Sequence, residues 1–242
     1  MKLKNNIGKV LLELLYPGRC PVCDGILAFG EGRIHKHCTK VLQKVGPVYC
    51  LKCGRPIYRE EDAFCRHCRE EKHDFDSGVS VYMYRGEMKA SIYRFKYGNR
   101  QEYAAYYGRE LAKAIAARRD MRTAGLIVPV PLYSEKLLQR GFNQAQLLAQ
   151  EVSALLKIPM KPDLVRRVRA TTAQKELGAY ERRKNLKKAF KIGQDDVELD
   201  SIIVVDDIFT TGSTIDGVAR VLKEAGAKKV YAATLAIGVS KD

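Results

Sequence analysis

The feature that most constrains this 242-residue chain is a repeat of eight ligand-type residues near its start. Cys20-x2-Cys23, eleven residues and His35-x2-Cys38 are followed, thirty positions on, by Cys50-x2-Cys53, eleven residues and Cys65-x2-Cys68. The register chooses between histidines, because His35 aligns with Cys65, whereas His37 aligns with His67 between two cysteines. A two-residue gap lets the chain turn tightly, so both ligands and the intervening N–H groups face one ion, and two such turns complete a tetrahedral zinc site. A lone C-x-x-C is also compatible with redox chemistry, but three of them plus an H-x-x-C in register point to metal. The expectation is two structural Zn2+ ions, one on Cys20, Cys23, His35 and Cys38, the other on Cys50, Cys53, Cys65 and Cys68. With four protein ligands each, the sites are closed rather than catalytic. Gly25 and Gly54 suit the turns. Around so little apolar core, metal affinity supplies most of the folding free energy, so chelators should unfold the module.

The chain is expected in the cytoplasm, where thiols are reduced and seven cysteines argue for metal rather than disulfides. The stretch Lys9-Val-Leu-Leu-Glu-Leu-Leu has Glu13 inside it and Pro17-Gly-Arg-Cys after it, which reads as a short amphipathic helix within 1–18, not a signal peptide. Apolar runs such as Leu126–Val130 and Ile202–Val205 are far too short to insert in a membrane. The formal net charge is +15, unevenly spread, and residues 161–191 hold 11 Lys or Arg against three acids. Solvated helix faces alternate signs; this run does not, and it calls for a polyanion.

Past the cysteine module (19–75), a linker near Asp76-Ser77-Gly78 leads into a second domain, 76–242. Val79–Tyr84 reads as a strand. Tyr103, Tyr106, Tyr107, Leu111, Ala114 and Ile115 keep helical spacing through 102–117. Leu126–Leu132 reads as a buried strand, and Phe142–Leu156 as a helix. Leu164–Val168 and Ala189–Ile192 are short strands. Ile202–Val205 is a strongly apolar strand, Thr214–Ala225 a helix closed by Gly226, and Val230–Ile237 the last strand. Such alternation predicts an α/β fold, a parallel sheet flanked by helices, with its site at the strands' C-terminal ends.

One such end reads Ile202-Ile-Val-Val-Asp206-Asp207-Ile-Phe-Thr210-Thr211-Gly212-Ser213-Thr214. The loop N–H groups and the following helix N-terminus form an anion site, Gly212 permits close approach, and Thr210, Thr211, Ser213 and Thr214 add hydroxyl donors. Asp206 and Asp207 would repel a bare phosphate but suit sugar hydroxyls and a bridging Mg2+. A ribose 5-phosphate satisfies both halves. A Walker B reading fails because the chain has no G-x-x-x-x-G-K-[ST]. Simple helix capping leaves paired carboxylates beside an anion cradle unexplained.

The segment resembles the signature of type I phosphoribosyltransferases, which bind 5-phosphoribosyl pyrophosphate (PRPP). From Cys20 onward the chain is similar to the competence protein F (ComF) family, through Pro129-Val-Pro131, Arg140-Gly-Phe-Asn-Gln144, Arg169-x-Thr171-x-x-Gln174, Glu181-Arg-x-x-Asn185 and the Asp206–Thr214 loop. The resemblance implies a type I phosphoribosyltransferase fold with a hood at about 77–118. It implies that Asp206 and Asp207 hold the ribose and act as the catalytic pair, that Thr210–Thr214 cradle the 5′-phosphate, and that Val130-Pro131-Leu132 form the pyrophosphate loop. A flexible loop at about 169–184 would close over PRPP and Mg2+, with contacts from Arg169, Gln174, Arg182 and Arg183, beside Arg167 and Lys175. His35 departs from the family, where cysteine is usual.

Two functions follow as expectations: transfer of ribose 5-phosphate to a nitrogenous acceptor, or binding of single-stranded DNA during DNA uptake, with an uptake helicase as partner. For the second, Arg94, Lys96 and Arg100 with tyrosines 93, 97, 103, 106 and 107 offer a stacking surface. The same tyrosine spacing equally suits the buried face of a helix.

Overall fold

The computed structural model describes residues 17–59, 61–168, 189–193 and 200–238. The expected N-terminal helix through residue 16 and the loop contacts Arg169, Gln174, Arg182 and Arg183 lie outside the described residues.

Each cysteine-rich half is a small loop closed by one antiparallel bridge. The two bridges, Arg19 with Ile26 and Tyr49 with Pro56, repeat the thirty-residue interval of the ligands. Within each turn the same bonds recur. Cys20 N–H donates to Gly25 and Asp24 N–H to Cys20, matched by Cys50 to Arg55 and Gly54 to Cys50. The left-handed position is therefore Asp24 (φ 60°) in the first turn and Gly54 (φ 77°) in the second. Gly25 does not take the positive φ its position suggested. Its small size matters instead, since a Cβ there would lie 3.1 Å from the His35 ring and 3.3 Å from Cys23 Sγ. Asp24 tolerates the αL region as short polar residues do, and three neighbours hold its carboxylate. Arg100 donates to it at 2.7 and 3.0 Å and Tyr103 at 2.6 Å, with Arg19 at 4.0 Å. The Arg100 hydrogen bond keeps the Asp24 carboxyl below the usual range, more than burial raises it.

Four parallel strands form the central sheet in the order β1 (Ser77–Met83), β6 (Lys229–Ile237), β5 (Ser201–Phe209), β2 (Leu126–Pro129). Register runs from Leu126 against Ile202, Ser201 against Lys229 and Ser77 against Tyr231. β5 continues past Val205 because β6 continues beside it, pairing Asp206 with Thr234 and Ile208 with Ala236. β2 ends at Pro129, short of the expected Leu132, because Pro131 has no N–H for a ladder. β3 (Val165–Arg167) and β4 (Phe190–Ile192) pair antiparallel as a separate ribbon.

Side chains alternate across the sheet, so its two faces build two cores. Ile203, Val205, Ile127 and Ala233 pack with α3 (Tyr103–Ala116), α5 (Gln144–Leu156) and, from the first cysteine loop, Cys20, Val22 and Cys38. Ile202, Val204, Val128 and Ala232 pack with α6 (Ser213–Glu224), Phe75 and Cys50, Cys53 and Cys65 of the second loop. Each cysteine loop thus belongs to a different face of one sheet. Two helices had no clear periodic signal in the sequence, α2 (Glu87–Tyr97) and α4 (Ser134–Arg140). The short helix α1 (Arg66–Glu70) starts directly after Cys65 and carries Cys68.

The Arg140-Gly-Phe-Asn-Gln144 motif is the joint between α4 and α5. Gly141 ends α4 at φ 77°, Phe142 enters the core, and Asn143 caps α5 by accepting from Ala145 N–H at 3.0 Å. The Asn143 amide also donates to the Val130 carbonyl at 3.0 Å, fastening the joint to the loop after β2.

Candidate functional site

The eight ligand side chains gather in two groups, Cys20, Cys23, His35, Cys38 and Cys50, Cys53, Cys65, Cys68, each with its ligand atoms all within 4.8 Å of one another. Sulfurs about 2.3 Å from a tetrahedral ion sit roughly 3.8 Å apart, and Cys53 and Cys65 Sγ are 3.8 Å apart. Both groups therefore fit zinc. His35 Nε2 faces the Ile26 carbonyl at 3.1 Å, leaving Nδ1 3.2 Å from Cys23 Sγ. That outer hydrogen bond fixes which nitrogen is the ligand. His37 stacks outside on His35 with centroids 5.2 Å apart and belongs to neither group.

At the C-terminal end of the sheet, β5 carries Asp206 and Asp207 side by side, and the chain leaves it through Thr210–Gly212 into α6. Gly212 is the turn residue at φ 82°, and a Cβ there would meet Phe209 Cζ at 2.7 Å and His73 Cε1 at 2.9 Å. A shallow, solvent-open cleft lies here, lined by Asp206, Ile208, Phe209, Thr210, Gly212, Thr214 and Ile215. Thr211 and Ser213 hydroxyls lie 3.0 Å apart. The N–H groups of Thr211 and Gly212 have no acceptor among the described residues, so the loop presents backbone donors beside hydroxyls at a helix N-terminus.

Asp207 is buried, and its Oδ2 lies 2.5 Å from Nζ of Lys96, which α2 carries. Burial alone would lower the Lys96 pKa, but the Asp207 charge and then Asp206 raise it. The Asp206 carboxyl is pushed up to about 8, first by burial and then by the Asp207 charge, with Lys96 opposing. Lys136, Arg140 and Arg167 complete a cationic rim. Lys136 is held below the usual lysine range by burial and then by the Arg167 and Arg140 charges. Arg140 donates to Gln144 at 3.0 Å and to the Tyr97 hydroxyl at 2.9 Å, and Arg167 lies over the Phe190 ring.

The loop after β2 reaches the same place, but its three residues are not equivalent. Val130 N–H donates to Val205 at 2.8 Å and its carbonyl accepts from Asn143, so its backbone is committed. Pro131 has no N–H, which leaves Leu132 as the one of the three with a backbone donor that has no acceptor among the described residues. The proposed stacking surface also changes. Tyr103 and Tyr107 are buried, Arg94 donates to the Val22 carbonyl at 2.5 Å, Arg100 holds Asp24 and Lys96 pairs with Asp207. Tyr93 and Tyr97 remain exposed, with rings 5.0 Å apart. Sequence reasoning missed Lys96 and Lys136 as members of the charged group around the carboxylate pair; both ride on the helices without periodic signal.

Comparison with known proteins places these features. Residues 11–69 match the double zinc ribbon domain, and residues 138–241 the phosphoribosyl transferase domain. The chain is 32% identical over 223 residues to competence protein F of Haemophilus influenzae, covering 88% of this chain and 93% of that one. It is 33% identical over 222 residues to the DNA utilization protein YhgH of Escherichia coli K12, covering 90% and 96%. Against competence protein ComFC of Bacillus subtilis the identity is 30% over 196 residues, covering 78% and 77%. These relatives are matched over most of their length, and the chain belongs to the competence protein F family.

Proposed function

We propose that this protein binds PRPP, with the 5′-phosphate in the Thr210–Thr214 loop and the ribose hydroxyls on Asp206 and Asp207, and that it transfers ribose 5-phosphate to a nitrogenous acceptor. The observation that carries this reading is the juxtaposition of Thr211 and Gly212 N–H groups, without acceptors among the described residues, with a carboxylate pair a few residues away. Donors hold a phosphate and acceptors hold a sugar; few ligands other than a sugar phosphate ask for both. Lys96, Lys136 and Arg140, with Arg167 and the Leu132 N–H, face the pyrophosphate half and take up the charge of the leaving group. Asp206 and Asp207 suit Mg2+, which when bound would neutralise the pyrophosphate oxygens. In this reading residues 19–75 serve as scaffold and 76–242 as the ligand-binding part, in the cytoplasm, where the seven thiols stay reduced.

Calorimetry with PRPP and Mg2+ tests the assignment. Asp206→Asn and Asp207→Asn should each weaken binding about 10- to 100-fold, as loss of a charged hydrogen-bond acceptor does. The pH profile adds a sign. The ionised Asp206 accepts the hydroxyl, so with its carboxyl near 8, affinity should rise up to about tenfold per unit from pH 6 toward 8 and then level off. Asp206→Asn should flatten that slope. In the ligand-free protein the same raised value makes this group's contribution to stability fall as pH climbs from the ordinary carboxylate range through about 8. Variants that bind like the parent would remove the ribose role.

A second reading, single-stranded DNA binding with an uptake helicase as partner, draws on the names of the relatives and on one observation. Tyr93 and Tyr97 stand exposed, with the Arg140 guanidinium 4.9 Å from the Tyr97 ring, a platform on which bases stack. Gel shifts with single-stranded DNA should then lose at least about tenfold in affinity between roughly 50 and 200 mM salt. Affinity independent of salt would exclude phosphate-led binding. Among the described residues no helix is long and apolar enough to cross a membrane.

A further inference from the structure

The second zinc ribbon reaches the loop assigned to the phosphate at two backbone atoms. Arg55 is buried, and its Nη2 donates to the Thr210 carbonyl at 3.0 Å. His67, in α1 between Cys65 and Cys68, meets the Thr211 carbonyl through Nε2 at 3.4 Å. Both carbonyls belong to peptides whose N–H groups, Thr211 and Gly212, have no acceptor among the described residues, and in a trans peptide the N–H points opposite to the C=O. Holding both carbonyls toward the ribbon therefore turns the Thr211 and Gly212 N–H groups away from it.

We infer that Arg55 and His67 are positioning residues for the phosphate loop, and that metal at the Cys50, Cys53, Cys65, Cys68 cluster and a phosphate ligand in the loop strengthen each other's binding. The inference rests on the phosphate-loop reading above. The mechanical link is short. The Arg55 carbonyl accepts from Cys50 N–H at 2.7 Å, so the turn that wraps the metal also fixes where the Arg55 side chain starts. Next to it, Gly54 is packed so closely on β1 that a Cβ would lie 2.6 Å from Ser80 N, which seats the turn on the sheet. His67 is flanked by two ligands on a single turn of helix. The first ribbon has no such arms. Gly25 stands where the second has Arg55, and His37, the counterpart of His67, stacks on His35 instead. Evolution of two ribbons from one repeat would leave the first as a clamp on the hood helices and the second as a support for the loop.

Binding coupled in this way is reciprocal. In the full zinc-loaded chain, ribose 5-phosphate should slow chelator-driven release of one of the two zinc ions about tenfold and leave the other unchanged. Arg55→Ala should abolish that protection, weaken ribose 5-phosphate binding about tenfold, and speed amide exchange at 210–214, while still holding two zinc ions. Arg55→Lys, which keeps a donor, should restore part of each effect; His67→Gln gives an independent second variant if Arg55→Ala fails to fold. Unchanged loop exchange and unchanged ligand affinity in Arg55→Ala would overturn the inference and leave the phosphate-loop reading standing. Should ribose 5-phosphate not bind the parent at all, that reading fails, and the exchange at 210–214 still decides whether Arg55 positions the loop.

Discussion

Removal of metal from the second ribbon, by chelator or by Cys50→Ser with Cys53→Ser, is expected to unfold far more than the ribbon. Cys50, Cys53 and Cys65 are not a surface appendage; they are part of the core that Ile202, Val204 and α6 build on one face of the sheet. Phe75 bridges the two, with its ring 4.8 Å from His73 and 5.9 Å from Phe209. Structural zinc in such small modules contributes about 10–16 kcal/mol of apparent binding free energy, while a whole domain is stable by about 5–15 kcal/mol. Loss of one ion therefore removes as much as the fold has in reserve. Thermal unfolding with and without chelator should show a fall large enough to merge or abolish the transition. Metal analysis of the purified chain should find two zinc ions, and fewer than two would contradict the ligand set. The first ribbon is expected to matter through the other face, where it clamps α2 and α3 by way of Asp24, Pro21 and Val22.

Gly212→Ala is the substitution with the largest expected effect outside the ligands. The residue sits at φ 82°, and an added Cβ would lie 2.7 Å from Phe209 Cζ and 2.9 Å from the His73 ring. Neither neighbour can retreat easily. Phe209 is buried at the end of β5, and the His73 side chain is 1% exposed, with Nδ1 2.8 Å from Asp216 Oδ2. Backbone strain and overpacking each cost about 1–3 kcal/mol, so a loss of roughly 2–5 kcal/mol in denaturant unfolding is expected. Because Gly212 N–H is one of the loop donors without an acceptor among the described residues, phosphate binding should fall at least about 100-fold in calorimetry. A variant as stable and as retentive as the parent would show that the loop does not need this geometry.

Much of the fold is legible in the sequence, for reasons that differ between its parts. Ligand spacing fixes both metal clusters because four short covalent tethers leave little freedom, and the thirty-residue register even separates His35 from His37. Strands such as Ile202–Val205 and Val230–Ile237 read clearly since both faces of each are buried. The full extent of β5 did not, because β6 continues beside it past Val205. Helix α2 was hidden by its composition. It buries Met88, Ser91, Ile92 and Phe95 while exposing Tyr93 and Tyr97, so its apolar stripe is blurred. Helix α4 buries none of its residues and has no stripe to find. The contacts of Lys96, Arg55 and His67 were invisible for another reason. They join segments more than a hundred residues apart, and only the packing of α2 and of the second ribbon beside the end of β5 brings them together.

The central claim is that a sugar phosphate is held between the Thr210–Thr214 loop and the Asp206–Asp207 pair. A crystal structure of the zinc-loaded chain with ribose 5-phosphate or PRPP and Mg2+ tests it most directly. The account requires phosphate oxygens within hydrogen-bond distance of the Thr211 and Gly212 N–H groups and ribose hydroxyls on the two carboxylates. A ligand seated elsewhere on the protein, or a loop whose donors turn out to be filled from within the chain, would contradict it.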